Sequence, residues 1–148
     1  TMMNRNDQYT NEHDLNINLQ HALFFIHAPK FVESKEISKN GKLIDMFSTV
    51  MSLIKMDYIN YTLGSNLLDT SKTRKASSFV YLKMNGEPTV GLLQDSLYYS
   101  KTNITNTKGL YNLKSKNLVD LKEKYPKKTL EMDSLLNAYY HSTINISQ

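Results

Sequence analysis

His21-Ala-Leu-Phe-Phe-Ile-His-Ala-Pro29 is followed by Leu43-Ile-Asp-Met-Phe-Ser-Thr-Val-Met-Ser-Leu-Ile54 and then by Asn60-Tyr-Thr-Leu-Gly-Ser-Asn-Leu-Leu-Asp69. The run from Ala22 to Ala28 is apolar on both faces, the pattern of a strand covered on two sides, and Pro29 ends its ability to donate ladder hydrogen bonds. A central strand is expected there. Residues 32 to 42 are polar and contain Asn40-Gly41, which reads as a turn-rich connection. Phe47, Val50, Met51 and Ile54 recur at i, i+3, i+4 and i+7, so a helix entered near Asp45 or Ser48 is expected to lay that face on the sheet. Leu63-Gly64 supplies a turn. Residues 70 to 77 form a polar, basic linker without large apolar side chains and mark the best internal boundary, dividing the chain into residues 1–70 and 71–148.

Upstream, residues 1 to 20 are rich in Asn, Asp and Gln and show no sustained period; they read as an arm in which Leu15, Ile17 and Leu19 begin an extended approach. Downstream of the linker the pattern changes to short extended runs at 78–84, 89–93, 97–99 and 110–113. Asn85-Gly86 joins the first two, and both residues tolerate positive φ, so a hairpin and an antiparallel sheet are expected. Residues 118 to 124 read as a short helix. Pro126 suits the first turn of a longer one, whose stripe of Met132, Leu135, Leu136, Tyr139, Tyr140 and Thr143 is expected to cover the sheet. That position makes Tyr139 and Tyr140 packing residues rather than a ligand platform.

The chain has 148 residues, 40% of them hydrophobic, enough for one domain with a core and too few for two ordinary ones. Its 18 Lys and Arg exceed its 14 Asp and Glu, a net charge of +4, and the positive residues read as a solvated surface rather than a nucleic-acid stripe interleaved with aromatics. With no cysteine there is no disulfide, thiolate metal site or cysteine nucleophile. The longest apolar run is far short of the roughly 20 residues that cross a bilayer, and no signal-peptide pattern opens the chain.

The three quoted stretches resemble the C-terminal part of sulfatase-like enzymes of the alkaline phosphatase superfamily, closest to the lipoteichoic-acid-synthase-like phosphoglycerol transferase branch. The family pattern runs His-x-Pro-Leu, an apolar strand, Tyr-Ala-Pro, a spacer, Val-Asp-Ile-x-Pro-Thr with following leucines, and a Leu-Gly turn. Ala28-Pro29, Asp45, Thr49 and Leu63-Gly64 fall on that pattern, while Ala22 and Ser48 stand where it has proline. Gly109-Leu-Tyr-Asn-Leu113 is similar to the family strand Leu-Tyr-Asp-Leu. The resemblance implies an α/β fold of the alkaline phosphatase type: the edge of a central sheet with a packed helix, then a small antiparallel sheet under a C-terminal helix. It also implies a parent enzyme at the outer face of the cytoplasmic membrane, with a divalent metal (manganese, magnesium, calcium or zinc) and a sulfated or phosphorylated glycan or lipid substrate. The family's nucleophile, its Asp-His metal pair and most metal ligands lie upstream of the matched segment. This chain has neither Asp-His nor Cys/Ser-x-Pro-x-Arg, so it reads as a C-terminal portion whose partner is an N-terminal catalytic portion, with no activity by itself.

The resemblance makes His21 the one candidate substrate-binding residue, placed to touch sulfate or phosphate oxygens or a metal; no catalytic residue or metal ligand is assigned within the chain. A hydrogen-bonded role at the strand's edge is the plainer alternative for it. His13-Asp14 reverses the family order, His27 is expected to satisfy a backbone partner inside the strand, and His141 to be exposed. Asp45 resembles a family residue that holds the loop and helix, with helix capping the simpler role. Glu131 and Asp133 are expected to be solvated. No Gly-rich phosphate loop, Gly-x-Ser-x-Gly elbow or His-Glu-x-x-His helix occurs. The competing function is a noncatalytic accessory module whose antiparallel sheet and tyrosines recognise a glycan or a protein.

Overall fold

The computed structural model describes residues 15, 17, 22–30, 32–37, 40–69, 77–84 and 86–146. Four antiparallel strands, β1 (Ser77–Met84), β2 (Glu87–Gln94), β3 (Leu97–Thr102) and β4 (Lys108–Asn112), lie side by side in chain order. One helix, α1 (Asp45–Leu53), precedes them and another, α2 (Pro126–Ile146), follows, giving a mixed α/β architecture. The register is set by tight turns: Met84 faces Glu87 and Gln94 faces Leu97, leaving two residues for each connection. Gly86 takes φ +83 in the first turn and Asp95 φ 54 in the second. Asn85 of the expected Asn-Gly pair lies outside the described residues.

Alternation along the strands sorts the core into two layers. Val90, Leu92, Tyr99 and Leu110 point to one face, where Met132 and Leu136 of α2 complete a buried cluster flanked by Leu135 and Tyr139. Met132, Leu135, Leu136 and Tyr139 of the C-terminal stripe thus cover the sheet as their spacing predicts, Tyr140 of the same stripe is exposed instead of packed, and Pro126 opens the helix. Thr143 is on α2, but its side chain lies outside the described residues. Val80, Leu82 and Tyr98 point to the other face and are closed over by Leu15 and Ile17. The N-terminal arm therefore contributes core residues to the sheet that follows the linker. On this face the Tyr98 ring lies across Gly91 so closely that a β-carbon there would overlap its ring and hydroxyl, which makes glycine a packing requirement of β2.

Three expectations are corrected. Residues 22–28 form no strand, and Leu23 and Phe25 are 95% and 74% exposed. An interior strand needs ladder partners on both sides, and residues 22–28 pair with none of the four strands of the sheet. Second, α1 does not bury its apolar stripe: Asp45, Ser48 and Thr49 are its buried residues, while Phe47 is 57% exposed and Val50 and Ile54 also face outward. Phe47 makes a T-shaped ring contact with Tyr58, at 5.3 Å between centroids. Third, residues 118–124 are irregular rather than helical. Leu121 N–H donates to the Leu110 carbonyl at 2.7 Å, and the Asp120 carboxylate accepts from Leu110 N–H at 3.1 Å. Pairing with the outer edge of β4 has replaced the helical bonds that this segment's propensity favours.

Of the expected linker at residues 70–77, residues 70–76 lie outside the described residues and Ser77 is already the first residue of β1.

Candidate functional site

The polar face of α1 grips the loop that follows it. Asp45 stands at the helix start, almost fully buried, and its two oxygens divide their work. Oδ2 accepts from Lys42 N–H at 2.7 Å, and Oδ1 accepts from Ser65 N–H at 2.7 Å and from Ser65 Oγ at 3.2 Å. One turn on, Thr49 Oγ1 donates to the Asp45 carbonyl at 2.7 Å and accepts from Leu67 N–H at 3.0 Å. Asn66 Nδ2 donates to Ser52 Oγ at 2.8 Å, and Asn60 Nδ2 donates to the Gly64 carbonyl at 2.7 Å. Gly64 sits where a β-carbon would overlap the Ile44 carbonyl, so the loop can pass this close to the helix start only with glycine. The residue before α1, Ile44, makes no side-chain cap, and Asp45 acts instead as a clamp from the first turn. Asp45, Thr49 and Gly64, separated in sequence, thus form one contiguous unit.

His21, the candidate substrate-binding residue, and His13 both lie outside the described residues. His27 is exposed and stacks on Phe25 at 6.3 Å between ring centroids, which corrects the expectation of a buried, strand-bound imidazole. His141 is exposed, as expected, with its ring edge against Tyr140. Among the described residues no three His, Cys, Asp or Glu side chains converge, so the metal implied by the resemblance does not fit a shell drawn from them.

Asp133 corrects the reading of a solvated carboxylate. It accepts from the Tyr99 hydroxyl at 2.9 Å and from Lys108 Nζ at 2.8 Å, tying α2 to β3 and β4. Burial pushes its pKa up, but the hydrogen bonds from Lys108 and Tyr99, with the charges of Lys108 and Lys101, outweigh that and leave it below the ordinary carboxylate value. This contact carried no sequence signal, because an acid on the helix side facing a sheet edge has the same local pattern as one facing water. Glu131, by contrast, is exposed and pairs with Lys128 at 2.8 Å.

Tyr98, Tyr99 and Tyr111 all hold their protons more tightly than a free phenol. For Tyr98 and Tyr99 burial is the main cause, joined by Tyr111 and by Asp133 respectively. For Tyr111 burial is followed by Asp120 and partly offset by Lys122. A folded-state pKa above the unfolded value of 10.0 gives stabilisation that is complete below 10.0 and lost as pH rises through the folded value. Urea unfolding measured at increasing pH should therefore show a decline above that point, up to about 1.4 kcal/mol per pH unit for each tyrosine. The Tyr98 hydroxyl has no hydrogen-bond partner among the described residues, so Tyr98→Phe should make the decline above 10.0 shallower by one tyrosine's share without loss of stability at neutral pH. A pH-independent free energy above 10.0 would show that these phenols are not protected.

No protein-family model matches the chain, and no curated protein matches it significantly.

Proposed function

We propose that the chain is the C-terminal portion of a sulfatase-like hydrolase or phosphoglycerol transferase of the alkaline phosphatase superfamily, acting at the outer face of the cytoplasmic membrane on sulfate or phosphate esters of envelope glycans or lipids. One observation carries the proposal. Asp45, Thr49 and Leu63-Gly64, which the family pattern draws from separate stretches, meet in a single buried clamp, with Asp45 bonded to Ser65 and Thr49 to Leu67. The outward apolar surface of residues 23–61, including Leu23, Phe25, Phe47, Ile54 and Ile59, is what a segment packed against an upstream catalytic portion would present. In this assignment the nucleophile and the ligands of a divalent metal come from that portion, while this chain supplies the clamp, the antiparallel sheet and its covering helix. His21, immediately before the exposed run, borders the active site and contacts the ester's anionic oxygens.

The test compares the isolated chain with the same chain joined to its upstream coding sequence, using aryl sulfate, aryl phosphate and phosphatidylglycerol as substrates. The joined protein should show metal-dependent turnover and the isolated chain none. His21→Ala in the joined protein should slow turnover by about 10- to 100-fold with little change in melting temperature. Turnover by the isolated chain, or an upstream reading frame without a nucleophile motif, would overturn the assignment. The latter result would leave the accessory-module reading. It is favoured by one feature, a polar cleft where Asn103, Asn106, Asn137 and His141 surround the half-exposed Tyr140 ring.

A further inference from the structure

Two stretches of the sequence each carry an excess of four positive charges. Residues 72–83 hold Lys72, Arg74, Lys75 and Lys83 with no acid, the first three outside the described residues; residues 113–128, all described, hold Lys114, Lys116, Lys122, Lys124, Lys127 and Lys128 against Asp120 and Glu123. Asp120 is further drawn inward by Leu110 N–H and bridged by Lys122 at 3.3 Å. The same segment lines an open groove with the apolar side chains of Leu97, Val119, Leu121 and Tyr125 and with Lys124 and Lys128, the last with its ammonium held by Gln94 and Glu131. Val119 and Tyr125 of this groove keep large apolar areas in solvent, and Lys114, Lys116 and Lys127 of the same segment are exposed. Strand addition by a peptide is blocked, because the Leu110 N–H and carbonyl on the edge of β4 already bond Asp120 and Leu121.

We infer that this face docks on an anionic phospholipid bilayer. Lysines that reach the headgroup phosphates from around shallow apolar side chains match the chemistry of such a surface, where each cation adds to the attraction and the apolar groups enter the interfacial layer. The inference rests on the charge distribution and the groove, and holds whether or not the chain is part of a sulfatase-like enzyme.

The experiment is co-sedimentation of the full chain with vesicles of phosphatidylcholine alone and of equal parts phosphatidylcholine and phosphatidylglycerol, at low and raised salt. Binding is expected to the anionic vesicles only and to weaken with salt. Joint replacement Lys116→Gln, Lys124→Gln and Lys127→Gln should weaken it by about 100-fold. The matched control Lys30→Gln, Lys35→Gln and Lys83→Gln removes equal charge from other exposed positions and should leave more than half of the bound fraction in place, a proportion set by the local nature of the contact. Val119→Ser should lower binding several-fold, with melting temperatures verifying that each variant is folded. Equal loss in both lysine sets, equal binding to neutral vesicles, or equally tight binding to soluble polyglutamate would each overturn the proposal.

Discussion

Asp45→Ala should raise hydrogen exchange at the Ser65 and Leu67 amides by about 100-fold or more, equivalent to roughly 3 kcal/mol of lost protection. The carboxylate serves Lys42 N–H, Ser65 N–H and Ser65 Oγ from a nearly solvent-free position. Alanine leaves all three donors without it in a space too confined for easy hydration. An unpartnered buried donor costs about 1–3 kcal/mol, and opening the loop to water becomes the cheaper state. Asp45→Asn keeps one carbonyl acceptor and should recover part of the protection. Residues 40 and 41, ahead of α1, bond to the sheet through Asn40 Nδ2 to the Asp95 carbonyl and Ser78 Oγ to the Gly41 carbonyl, so Leu92 in the middle of the sheet should keep its slow exchange. Unchanged rates at Ser65 and Leu67 would show that the carboxylate does not hold the clamp.

Leu136→Ala should lower the unfolding free energy by about 2–4 kcal/mol. Leu136 is 1% exposed and packs with Met132 over Leu92, Tyr99 and Leu110. Truncation removes the three carbons beyond Cβ from a cluster closed by a helix on one side and by paired strands on the other, so neighbours cannot collapse freely into the space. Leu130 offers the internal comparison: it lies on the same helix, is largely exposed, and its alanine variant should change stability by about 0.5 kcal/mol or less. An urea midpoint unaffected by Leu136→Ala would mean that α2 is not docked on the sheet.

The half of the chain after the linker was legible because its signals are local. Alternation in β1 to β4, Gly86 at a tight turn and Pro126 at a helix start each fix structure within a few residues, and the apolar spacing from Met132 to Tyr139 names the face that packs. The earlier half was misread where the outcome depends on what lies alongside. An apolar run such as Leu23 to Ile26 satisfies the strand pattern, yet strand formation requires backbone partners that hydrophobicity cannot supply. In α1 the apolar period located the helix and gave the wrong inner face, since the hydrogen bonds of Asp45, Thr49 and Ser52 to residues 65–67 govern how it sits. Asp45 itself was visible in the family pattern, but its three donors were not. Residues 118–124 show the same limit, for helix propensity lost to the unfilled bonds of Leu110.

The pairing of Leu110 with residues 120 and 121 has a consequence for assembly. It closes one border of the sheet, leaving β1 as the border at the other end of the strand order. A strand of a second copy cannot add at β4, where the outward N–H and carbonyl of Leu110 are already bonded. A filament that grows by strand addition needs both borders of the sheet open, and this fold has withdrawn the one at β4.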